Sequence, residues 1–139
     1  MNVLAFFAHP DDETMLAGGL LSLMAKKGMA VYCLCCTRGE GGETGDPPIC
    51  TREQLGTVRE SEFIHAVREL GLEGWKILEF IDPLVGENNV LYPFTDSPTR
   101  LVQELENYVI EKNISVIISH GSNGEYGHPA HKLVYNAVE

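Results

Sequence analysis

Long apolar runs are missing from this chain. No stretch of eighteen apolar residues occurs, so a membrane-spanning helix is not expected. The amino terminus passes straight into a strand-like segment without a leader pattern, and a cytoplasmic protein is the expectation. Cations are scarce: ten Lys and Arg stand against twenty Asp and Glu, for a formal net charge of −10. Binding a phosphate backbone needs a basic patch, whereas these cations are scattered, which argues against a nucleic-acid partner; the acidic balance mainly favours solubility. Internal repeats and low-complexity tracts are absent. So is a G-x-G-x-x-G after the first strand-like run, which weighs against a nucleotide-binding domain. Cysteine is limited to Cys33, Cys35, Cys36 and Cys50. The first three fall in one strand-like run whose alternate side chains point to opposite faces, so they cannot gather around one ion and are expected to be buried, reduced thiols. Cys50 lies in a Gly- and Pro-rich loop, where a thiol is more exposed to reaction.

What is present is concentrated at two places. At the first, the apolar run Val3-Leu4-Ala5-Phe6-Phe7 gives way to Ala8-His9-Pro10-Asp11-Asp12-Glu13, and an apolar-periodic segment follows. That is where a buried strand hands over to a helix, at the carboxyl end of the strand, where open α/β sheets bind ligands. An imidazole and three carboxylates there suit a cation. His9 and Asp12 can converge on one point with Asp11 beside them, but a catalytic zinc usually takes three protein ligands and keeps a position open. The second place offers the third. Gly124-Glu125-Tyr126-Gly127-His128-Pro129-Ala130-His131 follows another strand-like run, Val116-Ile117-Ile118-Ser119, and its two histidines share a face if Pro129 opens a helix.

The rest of the chain alternates strand and helix signals. Strands are expected over residues 3–8, 30–36, 75–81 and 114–119. Helices are expected over 13–27, with Leu16, Leu20, Leu23 and Met24 on the inward face and Gly18 and Gly19 allowing close packing; over 51–70, with Thr51 and Gln54 as a capping box; over 98–112; and from 129 onward. Arg59 falls inside the apolar stripe of the second helix, where a snorkelling cation, an ion pair with Glu40 or Glu62, or a substrate contact would explain it. Residues 38–50, rich in glycine, proline and acid, are expected to form a mobile rim of the site. His65 and His120 are expected to be surface or satisfied core histidines, although His120 borders the site and could support it. With 139 residues and 44% hydrophobic content, the expectation is a single α/β domain over residues 1–139: a Rossmann-like three-layer fold with a mostly parallel sheet and helices on both faces.

His9-Pro10-Asp11-Asp12-Glu13, with Thr37-Arg38-Gly39-Glu40 after the second strand and Gly127-His128-Pro129-Ala130-His131, resembles the LmbE-like (PIG-L) family of zinc-dependent de-N-acetylases. The family includes deacetylases of the mycothiol and bacillithiol pathways and N-acetylglucosaminyl-phosphatidylinositol de-N-acetylase. The resemblance runs from about residue 3 to the last residue. It implies that His9, Asp12 and His131 bind Zn2+, or another divalent ion such as Fe2+. Asp11 would be the general base, and His128, assisted by Tyr126, would stabilise the oxyanion or protonate the leaving amine. Arg59, Arg38 and, across a gap, Asp82 would contact the sugar of a small amino-sugar conjugate, with self-association left open. Ala130 departs from the aspartate that many bacterial members carry there, so a supporting hydrogen bond to a histidine is expected to be lost. Relatives continue well beyond this length, so the expectation is the amino-terminal part of a longer protein whose carboxy-terminal elements are missing. Other readings are a related metal-dependent hydrolase or transferase acting on another amide, thiol conjugate or glycoside, and a non-catalytic metal-binding domain.

Overall fold

A computed structural model describes residues 1–139. Strands β1 (Asn2–Phe7), β2 (Ala30–Thr37), β3 (Gly74–Phe80) and β4 (Val116–Ser119) form one parallel sheet in the order β3-β2-β1-β4. Helices α1 (Asp12–Lys26), α2 (Leu55–Glu69) and α3 (Pro98–Glu111) connect them, and a single turn α4 (Gly124–Gly127) precedes α5 (Pro129–Val138). The expected α/β class, parallel sheet and two-sided helix cover are therefore observed. The chain winds outward from β1 through β2 to β3, then crosses back to lay β4 on the other side of β1. That reversal leaves a crevice between the carboxyl ends of β1 and β4.

Strand alternation builds two apolar layers. Leu4, Phe6 and Ala8 enter one layer with Leu101, Leu105 and Tyr108 of α3 and Ala130 and Val134 of α5. Val3, Ala5 and Phe7 enter the other with Ala17 and Leu21 of α1 and Phe63 and Val67 of α2. With each fully buried large apolar side chain worth roughly 1.5–3 kcal/mol, β1 is the most firmly held element, and its exit is a rigid platform. Cys33 and Cys35 lie in the second layer and Cys36 in the first, all three buried and free as expected, with Cys50 half-buried. Burial pushes all three strand thiols well above the usual range.

The inward face of α1 is a correction. Leu16, Leu20 and Leu23 are 47%, 46% and 53% exposed, and the helix instead buries Glu13, Ala17, Gly18 and Leu21. The sequence offers two overlapping apolar stripes, and the Glu13 carboxylate selects between them. Glu13 is almost fully buried beneath the preceding turn, so the positions four and eight residues later, Ala17 and Leu21, follow it inward. Gly18 lies over Leu70 at the end of α2, whereas a side chain at Gly19 would meet nothing, so only the first of this pair serves packing.

Candidate active site

At the exit of β1, both peptide groups of Ala8 are claimed: its carbonyl accepts from Thr37 N and Thr37 Oγ1, and its N–H donates to His120 Nε2 at 3.1 Å. The next residues turn sharply. His9 N donates to Asp12 Oδ2 at 2.9 Å, which fixes that carboxylate and leaves Oδ1 free. Asp11 sits at φ 99°, a costly conformation for any residue but glycine. Glu13 holds it there, accepting from Asp11 N at 3.1 Å through Oε2 and from Thr14 Oγ1 at 2.6 Å through Oε1. Although Asp11 is the residue before α1, its carboxylate makes no capping bond to the helix. The side chain is 65% exposed and points to the cavity, where Arg59 Nη2 meets its Oδ2 at 3.0 Å.

After β4 the chain turns through His120 and α4 to α5. His128 is the cap of α5, its Nδ1 accepting from Ala130 N at 3.1 Å with Pro129 at the first helical position. His131 follows on the first turn and is stacked between His120 and His128, at ring-centroid distances of 3.9 and 4.6 Å.

The two motifs meet. The rings of His9 and His131, more than a hundred positions apart, have centroids 5.3 Å from each other. Asp12 bridges them, with Oδ2 3.4 Å from His9 Nδ1 and Oδ1 3.4 Å from His131 Nε2. Two overlapping groups have possible metal-ligand atoms within 4.8 Å of one another: His9, His128 and His131, and Asp12, His120 and His131. Hydrogen bonding decides among them. A neutral imidazole has one lone pair; Ala8 N occupies that of His120 at Nε2, and Ala130 N occupies that of His128 at Nδ1. His131 Nδ1 lies 2.7 Å from Glu125 Oε2 and donates to it, which leaves Nε2 as a buried lone pair with no hydrogen-bond partner, facing a carboxylate oxygen. His9 Nε2 faces Asp82 Oδ1 at 3.2 Å, which directs its Nδ1 lone pair to the same space. The free ligand atoms are those of His9, Asp12 and His131, two nitrogens and one oxygen, a donor set that fits zinc, iron or a similar divalent ion.

The electrostatics agree with a cation-binding site. Burial alone would lower the pKa of His9, but Asp12 and Asp82 outweigh it and push it up to about 9, so at neutral pH a proton sits on Nδ1 beside Asp12, and a bound cation would displace that proton to expose the lone pair. Burial would raise Asp12, and the His9 bond with the surrounding imidazoles holds it below the usual range instead. His128 is pushed down to about 4 by burial and by its histidine neighbours, so its neutral form, with the proton on Nε2, prevails at neutral pH. Packing against the site raises Asp11 above an ordinary aspartate even though Arg59 pulls the other way.

These groups open on a cavity of about 380 Å3 whose lining includes His9, Asp11, Asp12, Arg59, Tyr126 and His128. Arg59 pairs with Asp11 rather than Glu40 or Glu62, and also donates to the Gly39 and Pro10 carbonyls. Asp82 lines the cavity and is turned to His9; Arg38 does not line it, lying against Glu40 at 3.1 Å and Glu60 at 3.7 Å. The rim over residues 38–50, expected to be mobile, is tied down in its first half. Arg52 Nη1 donates to the Glu40 and Gly42 carbonyls, and the Glu40 carboxylate accepts from Asp82 N at 3.1 Å. Only glycine fits at 41, since a Cβ there would overlap the Pro83 carbonyl.

One residue that completes the site, Glu125, escapes sequence reasoning, and the supporting role open to His120 is observed. Glu125 joins His120 and His131 through one carboxylate oxygen, and His120 links that carboxylate to the exit of β1. The available signal was an acid within a loop that already held two histidines. His65, by contrast, is exposed on α2 as expected.

Residues 4–139 match the PIG-L family, described as GlcNAc-PI de-N-acetylase. A curated relative, the 1D-myo-inositol 2-acetamido-2-deoxy-α-D-glucopyranoside deacetylase of Corynebacterium glutamicum, is 32% identical over 144 aligned residues, covering 93% of this chain. The chain spans about half the length of that relative, 48%. Among solved structures, the N,N'-diacetylchitobiose deacetylase of Pyrococcus horikoshii superposes with a TM-score of 0.80 at 21% identity, covering 99% of this chain and 47% of that one. GalB, the 4-carboxy-2-hydroxymuconate hydratase of Pseudomonas putida, superposes with a TM-score of 0.77 at 22% identity, covering 98% and 53%. A deacetylase and a hydratase thus share this fold, and the fold does not by itself select a reaction. From the match along almost its whole length, this chain belongs to the PIG-L family of GlcNAc-PI de-N-acetylases.

Proposed function

We propose that the protein is a zinc-dependent de-N-acetylase of a small N-acetylglucosamine conjugate, acting in the cytoplasm. The observation that carries this reading is the buried, unpartnered His131 Nε2 facing Asp12 Oδ1, with His9 beside them and the Asp11 carboxylate, paired with Arg59 through one oxygen, at the cavity mouth. The deacetylase activity named for the C. glutamicum relative supports the substrate class.

His9, Asp12 and His131 would hold the ion, which when bound supplies an electrophile for the amide carbonyl and lowers the pKa of water. Asp11 takes the proton from the attacking water and returns it to the nitrogen as the carbon–nitrogen bond breaks, so acetate and a primary amine leave. Arg59 keeps the Asp11 carboxylate aimed at the cavity, acting on the base as well as lining the sugar side. His128 is a hydrogen-bond donor to the developing oxyanion rather than an acid: Ala130 N occupies its Nδ1, so Nε2–H is the group it offers. Tyr126, with its ring edge-on to His128, borders the same position. Asp82 faces His9 and thereby orients the ligand while lining the substrate cavity.

The test is metal analysis together with acetate release from a panel of N-acetylglucosamine conjugates and unrelated acylated amines. Zinc in stoichiometric amount with acetate released from the sugar panel is the expected result. Full metal occupancy without acetate from any substrate would overturn it in favour of a binding protein or a hydratase-type reaction.

A further inference from the structure

The loop that carries the last histidines contains a device whose purpose the hydrolytic scheme leaves open. Glu125 adopts φ 59° and ψ −71°, a conformation that side-chain-bearing residues avoid. Asn123 forces it there from both sides, accepting from Glu125 N at 3.1 Å and donating to Glu125 O at 3.3 Å. The strained turn aims the carboxylate back into the protein, where three donors meet it. Gly121 N donates to Oε1 at 2.9 Å, and His131 Nδ1 and His120 Nδ1 lie 2.7 and 3.0 Å from Oε2. The far nitrogen of His120 is in turn fixed by Ala8 N. An unbroken line of hydrogen bonds therefore joins the exit of β1, which carries His9 and Asp12, to His131 on α5. Ala130 supplies nothing to this line, since it has no polar side-chain atom and is packed in the apolar layer.

We infer that Glu125, braced by Asn123 and coupled through His120 to Ala8, is the positioning residue that fixes the tautomer and ring plane of His131 so that its Nε2 lone pair faces Asp12. This rests on the proposed ligand set, but its first consequence precedes any ion. A carboxylate accepts from both imidazoles at once. An amide has one acceptor oxygen where the carboxylate has two, so Glu125→Gln sets its NH2 group against either the Gly121 N–H or both imidazoles, and in either orientation the hold on His131 is loosened.

The experiment uses the full-length protein. Long-range proton–nitrogen correlation spectra of the metal-free form should show His131 protonated on Nδ1 in the wild type and redistributed toward Nε2–H in Glu125→Gln. Chelator competition with Zn2+ should then show affinity ten- to a hundredfold weaker in the variant, the usual effect of losing a carboxylate behind a metal-binding histidine, with the visible spectrum of the Co2+ form altered. An unchanged tautomer together with Zn2+ affinity within twofold of wild type would overturn the inference. If Glu125→Gln does not fold, Asn123→Ala, at an exposed position, decides instead: releasing the turn should weaken Zn2+ several-fold, and unchanged binding with an unchanged tautomer overturns the inference. Wild-type protein that binds no metal would overturn the proposed function, whereas the tautomer measurement would still decide the role of Glu125.

Discussion

The two loops that build the site use one backbone device to opposite ends. Each contains a single acidic residue with positive φ, Asp11 at 99° in the turn after β1 and Glu125 at 59° in the turn after β4. Each is held by a nearby side chain bonded to its N–H, Glu13 in the first loop and Asn123 in the second. Strained residues of this kind cost on the order of 1–3 kcal/mol and persist where their surroundings over-determine them. The outcomes differ in direction. The Asp11 side chain is 65% exposed and faces the cavity, where an arginine from a distant helix meets it; the Glu125 side chain is 25% exposed and faces two imidazoles. A reversed turn can thus present a carboxylate to a cavity or tuck it behind imidazoles, and the partner waiting for it decides which.

If this division of labour holds, damage to the ligands, to the outward acid and to its support should be separable. The largest effect belongs to His131→Ala, which removes the buried lone pair: zinc should fall to the adventitious level and acetate release to background, as read by elemental analysis and a coupled acetate assay. Unchanged metal content would contradict the ligand set. Asp11→Asn comes next. Asparagine tolerates positive φ, so the turn should survive, metal content should stay at the wild-type level, and turnover should fall by at least about a hundredfold, the usual scale of general-base catalysis. Near-normal turnover would remove Asp11 from the mechanism and erase the contrast with Glu125. Arg59→Lys should be milder. Lysine cannot span Asp11, the Gly39 carbonyl and the Pro10 carbonyl together, so kcat/KM should drop about tenfold through a misplaced base, with zinc affinity unmoved. A loss of zinc in that variant would mean that the two loops are not independent.

Much of this was legible in the sequence, and the parts that were not have a common physical cause. Strand and helix order followed from periodicity and punctuation, and the convergence of His9 with His131 followed from placing both motifs at strand ends. Periodicity alone gives the wrong phase for α1, because Leu16, Leu20 and Leu23 make as good a stripe as Ala17 and Leu21. The buried Glu13 broke that tie through a bond to Asp11 N, which no composition argument foresees. Glu125 is hidden for a similar reason. Its role depends on a φ, ψ pair enforced by Asn123, and a single polar letter in a loop carries no sign of which way its side chain will be turned. Arg59 stands out as a charge in an apolar stripe, but its partner lies 48 positions away, beyond any local pattern. What the sequence conceals is the local side-chain bond that selects one of two nearly equal backbone choices.

The smallest expected effect concerns the layers beneath both loops and serves as their control. Burial pushes Tyr108 up to about 12 and the thiols of Cys33, Cys35 and Cys36 well above their usual range. In each case the folded chain keeps a proton that the unfolded chain releases, at about 9 for a thiol and about 10 for the tyrosine. The unfolded state therefore binds fewer protons as pH rises through this range, and linkage makes the stability these groups contribute fall with pH, fully present below about 9 and progressively lost toward 12, while His9, raised from 6.5 to about 9, adds a separate decline between those two values. Urea midpoints measured at pH 7.5, 9.5 and 11 should decline in that order, and Tyr108→Phe should flatten the part of the decline above pH 10 while changing little at pH 7.5. A midpoint that does not fall between pH 9.5 and 11 would contradict the burial of these groups. Asp11→Asn and Glu125→Gln should leave the slope above pH 9.5 unaltered, because neither side chain enters the apolar layers. A loop variant that changes the slope has disturbed the sheet, and its kinetic defect could not then be assigned to the turn it was designed to probe.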